Sequence, residues 1–329
     1  TWRSALRDRA VADAGCDPQR SRTTQRLQHL ASAFEGLAWE ADFRFLYHPR
    51  RHLLHIGYRP DEQQLDTAFY DLLASESRST SLLAIAKGDV PVKHWTALGR
   101  PFFASGRHAV LRSWSGSMFE YLMPTLVMAE PRGSALDEAA HSALREQRAC
   151  VLGSGLPWGQ SESAYAVRDD TLAYQYAPQG VPRLALRRTP LDERVIAPYA
   201  TVLATQVDPG LACENLRRLG ALSARGRYGF FEALDYTPAR QTHGERFTVV
   251  HTFMAHHQGM SLIALANLFV PLGEAWFWPV NLAAAAVLLV HVGEVLLFRQ
   301  RLQGRPQPWL ERAQVLLFGV LHIQSLPRA

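Results

Sequence analysis

TAFYDLLASESRSTSLLAIA, residues 67–86, reads as one helix. Phe69, Leu72, Leu73, Leu83 and Ala84 recur at helical spacing. Asp66 stands where an N-cap is expected and Gly88 where the helix should end. Glu76 follows Phe69 by seven residues, Leu72 by four and Leu73 by three, so it points the same way as the apolar stripe. A carboxylate on a buried face is costly unless it is paired or functional. Two readings of Glu76 stay open: a reacting group, or half of an ion pair with an arginine of a neighbouring helix.

Working outward, the pattern stays mainly α. Residues 1–41 read as polar helix, with Leu27, Leu30, Phe34 and Leu37 at helical spacing. Residues 42–61 (DFRFLYHPRRHLLHIGYRPD) place two apolar runs around His48-Pro49-Arg50-Arg51, which predicts a β-hairpin. Residues 89–113 read as loop with some extended chain. A short helix is expected from Ser117, ended or interrupted by Pro124, and longer ones over 135–152, 196–207, 209–222 and 257–269. Residues 155–176, rich in Gly, Pro, Trp, Tyr and Ser, read as a long ordered loop, the kind of segment that carries function on a helical scaffold. Residues 227–236 (RYGFFEALDY) read as a short strand or extended loop.

Composition narrows the function classes. The 329 residues are 47% hydrophobic and 20% charged, ordinary for a globular protein. The net charge is +5, but the arginines are scattered and form no stripe, so nucleic-acid binding is not expected. Cys16, Cys150 and Cys213 are far apart, odd in number and without a CxxC pair. Neither a disulfide framework nor a zinc site is expected, and a reducing compartment fits. The chain starts at Thr1 in a charged stretch and reads as a segment of a longer protein. Residues 275–290 (AWFWPVNLAAAAVLLV) hold sixteen residues without a charge, short of the roughly 20 that a span needs. Membrane contact through 275–298, whether as a span or as a buried or interfacial helix, stays open. If the stretch spans, Arg299, Arg301 and Arg305 behind it would place residues 1–270 outside.

Four further groups of residues can carry chemistry. Glu162 in GLPWGQSESAY lies between Trp158 and Tyr165. Aromatic faces stack on sugar rings, and an apolar neighbourhood raises a carboxyl's pKa, which suits a general acid; a turn-making surface glutamate is the other reading. Ser117 and Glu120 have capping-box spacing, which gives Glu120 a structural reading, with Trp114 upstream as a candidate sugar platform. Glu232 and Asp235 could either bind sugar hydroxyls or anchor a loop. His256, His257 and Gln258 open a helix. His251 stands five residues before His256, which is not the HExxH spacing of a metal site, so capping or sugar hydrogen bonding is preferred, and no metal or cofactor is expected. No Walker loop occurs, and Ser154 in GSG is not a GxSxG elbow.

Nine strings stand in order: DFRFLYHPRRHLLHIGY, FYDLLASESR, AIAKGDVPVKHW, SWSGSMFEYLMP, PWGQSESAY, YQYAPQGVPRLALRR, VIAPYATVLA, RYGFFEALDYTPAR and FMAHHQGMSL. Together they resemble the glycoamylase-like domain of bacterial cyclic β-1,2-glucan synthases, over about residues 34–270. The resemblance implies an (α/α)6 barrel related to endo-β-1,2-glucanases, here incomplete at the N-terminal side and carrying short β-hairpin insertions. It implies a domain over 1–270 and leaves 271–329 as an apolar tail without counterpart. The implied activity cuts linear β-1,2-glucan and rejoins the ends into a ring, with simple hydrolysis or glucan binding alone as alternatives. The implied partners are β-1,2-glucan and the glycosyltransferase and phosphorylase-like domains of a parent synthase at the cytoplasmic face of the inner membrane.

Carried over by motif, the acidic positions fall on Glu76 and Glu162, and Glu120 also matches. Glu162 is expected as acid/base and Glu76 as nucleophile, with Glu120 in reserve. Tyr70, Asp71, Trp114, Trp158, Tyr165, Glu232, Asp235, His256, His257 and Gln258 match as cleft residues.

Overall fold

The stretch expected as one helix over 67–86 divides in two. Phe69–Tyr70 is a strand paired antiparallel with Leu53–His55, and helix begins only at Arg78. Ser75 and Ser77 account for the break. Their hydroxyls bond each other at 2.8 Å, and the Ser77 N–H donates to the Ser75 hydroxyl. Such local bonds compete with helical ones. Phe69 and Tyr70 are also strand-favouring residues beside an open hairpin edge. Gly88 does end the helix, in the left-handed region at φ +80°.

The computed structural model describes residues 18–241 and 244–269. Ser21–Val270 form one compact unit. Residues 1–20 and 271–329 group apart from it, and of these only 18–20 are described. The apolar tail and the proposed membrane contact at 275–298 therefore lie outside the described residues, as does Cys16. No helix among the described residues is long and apolar enough to cross a membrane.

The helices are α1 (Pro18–Glu40), α2 (Arg78–Lys87), α3 (Lys93–Ala97), α4 (Met118–Leu122), α5 (Ala135–Cys150), α6 (Pro198–Leu203), α7 (Pro209–Ala221) and α8 (Ala255–Phe269). Small antiparallel sheets of two or three strands link them. The hairpin expected over 42–61 forms, with Tyr47 opposite Leu54 and His48 opposite Leu53. The segment 155–176 is less loop-like than expected: Ser163–Arg168 pairs with Tyr174–Ala177 around a bulge. Leu27, Leu30, Phe34 and Leu37 do lie on a helix, α1, but remain 48–67% exposed.

The core runs through the middle of the chain. Leu111, Met118, Leu122, Leu184, Ile196, Leu203, Leu219 and Leu234 are fully buried together. Helix α6 lies at its centre, buried along its length, and packs on α7 and α8. That burial holds Val195–Ile196 against Ala233–Asp235. It also brings the start of α8 towards the strand that follows Glu162.

Candidate active site

Glu76 and Glu162 open into one groove. A cavity of about 490 Å³ is lined by Tyr70, Asp71, Glu76, Trp114, Glu120 and Glu162, with Phe69, Arg51 and neighbouring apolar residues. Trp114 is 59% exposed, leaving its ring face free.

Glu76 reaches the groove from a turn, not from a helix face. Leu73 N–H donates to Gly99 O and Gly99 N–H to Asp71 O, which pins the strand before the turn. The Ser75 hydroxyl donates to the Glu76 carboxylate at 3.2 Å. The ion-pair alternative for Glu76 is not what the neighbouring arginine does. Arg78, 2% exposed, donates to the backbone carbonyls of Ser75, Glu120 and Tyr121 and pairs with Glu130 at 3.4 Å. It staples the Glu76 turn onto α4, the helix that carries Glu120.

Glu120 is held by five donors. Its oxygens accept from the Ser113, Ser115 and Ser117 hydroxyls at 2.8, 2.6 and 3.0 Å, and from the Ser115 and Ser117 N–H groups at 3.1 and 3.0 Å. Both halves of the capping box expected at Ser117 and Glu120 are present. The cradle needs close backbone approach: no Cβ fits at Gly180, against the Ser115 carbonyl. Four of these bonds converge on Oε2, while Oε1 accepts only from the Ser115 N–H, so Glu120 is a fixed acceptor under the groove. Glu120→Gln can keep one oxygen in the hydroxyl cradle but sets its amide N–H₂ against the Ser115 N–H, donor against donor, and loses the charge that five donors stabilise. The substitution is expected to cost about 2–4 kcal/mol of stability, measurable by urea unfolding.

Glu162 is positioned through Tyr199. The Tyr199 hydroxyl donates to the Glu162 carbonyl at 2.8 Å and meets the Ser161 hydroxyl at 2.9 Å. Burial pushes the Glu162 carboxyl up, opposed chiefly by the hydrogen bond from the Tyr176 hydroxyl, with a further upward push from Glu120. Burial pushes Glu76 up as well, with Glu120 and Glu162 adding to it. The Glu120 charge pushes both carboxyls up and the Glu162 charge adds to the push on Glu76, as expected for acids close to one groove.

These shifts have a stability consequence with a definite sign. In the window above the ordinary Glu value of 4.5, the folded state holds protons that the unfolded chain has released. Stability therefore falls as pH rises through that window. Glu76→Gln and Glu162→Gln are each expected to raise Tm at neutral pH, with the gain vanishing below pH 4.5, in parallel thermal melts.

The other expected cleft residues divide. Tyr70, Asp71 and Trp114 line the groove. Trp158 does not: it is 5% exposed, its backbone is held at both ends by the Asn215 side chain, and it lines a separate cavity with Arg145, Arg148 and Arg218. Tyr165 packs on Ala164, Val195, Ala233 and Val250, under the Arg240 guanidinium. Asp235 is fully buried and accepts from Ala166 N–H, Thr237 N–H and Arg240 Nε, which makes it a structural joint. Glu232 accepts from Ala164 N–H and faces His257 Nδ1, so it stands behind Glu162 and not in the groove. His256 and His257 open α8 and both approach the Tyr176 hydroxyl at 3.3 Å, while Gln258 lines no described part of the groove.

Sequence reasoning passed over Tyr176, Tyr199 and Arg78. Tyr176 lies in the quoted string YQYAPQG, and Arg78 two residues past Glu76. Neither spacing nor composition marks them, because each acts on a partner far along the chain.

Comparison with known proteins shows the family and the fold. Residues 68–272 match the Glycoamylase family model, described as "Putative glucoamylase". The chain is 48% identical over 268 residues to the cyclic beta-(1,2)-glucan synthase NdvB of Rhizobium meliloti, covering 81% of this chain but spanning about a tenth, 10%, of that protein. Among solved structures it shares the fold of the endo-beta-1,2-glucanase from Chitinophaga pinensis in complex with sophorotriose and glucose. The TM-score is 0.53 and the identity 15%, over 78% of this chain and 62% of the other. It also shares the fold of the endo-beta-1,2-glucanase from Talaromyces funiculosus in complex with sophorose. There the TM-score is 0.54 and the identity 16%, over 75% of this chain and 54% of the other. The family match covers more than half of the 329 residues, and the chain belongs to the glycoamylase family.

Proposed function

We propose that this chain is a β-1,2-glucan-active domain that cleaves the linear glucan and rejoins its ends into a ring. The observation that carries the reading is a single groove holding Glu76 and Glu162, with Glu162 pushed towards the protonated form that a general acid needs and Trp114 exposed on the wall. The likeness to a cyclic glucan synthase and to two endo-β-1,2-glucanases supports the substrate.

The proposed reaction has two steps. Glu162 gives its proton to the leaving glycosidic oxygen while a Glu76 carboxylate oxygen attacks C1. The C1–O glycosidic bond breaks and a glycosyl–Glu76 ester forms. A hydroxyl at the far end of the same glucan then attacks C1 and returns its proton to Glu162, and the ester bond to Glu76 breaks. Retention by this route calls for carboxyls about 5–5.5 Å apart. Glu120 keeps its hydrogen bonds throughout, and its charge favours the protonated form of Glu162. Trp114 and Tyr70 offer ring faces for sugar stacking.

The parent scaffold in this reading is an (α/α)6 barrel, part of a membrane-bound synthase at the cytoplasmic face with glycosyltransferase and phosphorylase-like domains. The spanned tenth of the synthase length fits a part of such a protein.

Incubation with linear β-1,2-glucan followed by mass spectrometry tests the reading. Rings, each lacking one water relative to the linear chain, are expected. Linear fragments alone would make it a hydrolase, and glucan binding without turnover a binding domain; either result overturns the cyclising role.

A further inference from the structure

We propose that the Tyr176 hydroxyl, backed by His257 and Glu232, is a two-position support that stabilises Glu162 in both of its protonation states. This rests on the reading of Glu162 as the acid/base group.

An acid/base carboxyl must be comfortable twice, first as the acid and then as the carboxylate. A partner that can only donate favours one state and opposes the other. A hydroxyl carries one proton and two lone pairs, so it can serve both if a second acceptor stands behind it.

The structure supplies that acceptor. The Tyr176 hydroxyl lies 3.3 Å from His257 Nε2, and as a hydrogen-bond donor it is the main influence that lowers the Glu162 carboxyl. His257 is fully buried, and its Nδ1 faces the Glu232 carboxylate at 2.9 and 3.0 Å. A carboxylate only accepts, so the imidazole proton sits on Nδ1 and Nε2 presents a lone pair to Tyr176. The ring cannot swing away. Tyr199 stacks on it at 3.6 Å and 10°, and the Tyr199 hydroxyl also holds the Glu162 carbonyl. One aromatic ring thereby fixes the histidine and the carboxylate relative to each other.

Two hydrogen-bond patterns then support Glu162 in turn, with His257 Nε2 taking the Tyr176 proton only in the second. When Glu162 is a carboxylate, the Tyr176 O–H donates to it. When Glu162 carries the proton, it donates to the Tyr176 oxygen, and the Tyr176 O–H turns to His257 Nε2. No net proton leaves the pair; the hydroxyl rotates. His256 Nε2, also 3.3 Å from the hydroxyl, is an alternative acceptor on the exposed side. The other titratable groups that face Glu162 are Tyr70, Glu76, Glu120, Tyr199 and Glu232 behind His257. Among these only Tyr176 lies between Glu162 and an acceptor nitrogen.

Tyr176→Phe keeps the ring, which is 38% exposed and does not build the core. The test uses the 329-residue chain labelled with ¹³C at glutamate carboxyls, with Glu162 assigned through Glu162→Gln. The bond to the carboxylate is charge-assisted and stronger than the bond to the acid, so losing both should raise the Glu162 midpoint by about one pH unit. Turnover of linear β-1,2-glucan should fall roughly 10- to 100-fold with KM little changed. Imidazole ¹⁵N shifts in the unaltered chain should show His257 protonated on Nδ1 and bare on Nε2. An unmoved Glu162 midpoint in Tyr176→Phe, or a His257 protonated on Nε2, overturns the support. If the unaltered chain turns over no glucan, the proposed function fails instead, while the two NMR readouts still decide this inference.

Discussion

Glu162→Ala is expected to lower turnover of linear β-1,2-glucan about 10³- to 10⁴-fold, the upper range for loss of a general acid. The defect should depend on the leaving group. A glucose oxygen needs a proton to leave, because the bare alkoxide is far too basic; an activated phenol does not. An aryl β-sophoroside of low phenol pKa should therefore recover most of its first-step rate in the variant, and natural glucan should not. Azide should then accelerate the second step and give a glycosyl azide with the configuration of the substrate, because it enters the face that the acceptor hydroxyl normally uses. Equal losses on natural and activated substrates would remove the acid/base role from Glu162. The basis is a carboxyl that lines the groove, is pushed up by burial and is influenced by the Tyr176 hydroxyl, which has His257 behind it.

Glu76→Ala is expected to lower turnover by about 10⁴-fold or more on both kinds of substrate, since no leaving group substitutes for a missing nucleophile. Azide should occupy the space left by the carboxylate and yield a glycosyl azide of inverted configuration. That stereochemical contrast with Glu162→Ala separates the two carboxyls more sharply than rates do. An azide product of retained configuration from Glu76→Ala would reverse the two assignments. Inverted products from the unaltered chain on both substrates would replace the two-step route with a single displacement through water. Glu120 is not expected to take over either task, because the Ser113, Ser115 and Ser117 hydroxyls hold its Oε2 and fix the carboxyl in place.

Glu76 illustrates how a residue can be found through an argument that the fold revises. Helical spacing pointed it inward with Phe69, Leu72 and Leu73. The fold places Phe69 in a strand and Glu76 in a serine-rich turn, yet the carboxyl still faces the groove. What survives is the underlying conflict: a charged group within an apolar run must find solvent, a partner or a substrate.

Features that depend on neighbours within three or four residues were legible in the chain. The capping box of Ser117 with Glu120, the Gly88 stop and the hairpin turn between Tyr47 and Leu54 all follow from local backbone hydrogen bonding. Local bonding leaves a spacing that can be read. Contacts across the fold leave none. Trp158 is drawn out of the groove by Asn215, 57 residues away, and Tyr176 meets His257 across 81 residues. Only the packing of α6 at the centre of the core assembles Glu162, Tyr199, His257 and Glu232 into one cluster. The linear chain thus names the chemical types, carboxyls among aromatics, and the long-range packing selects which of them share a groove.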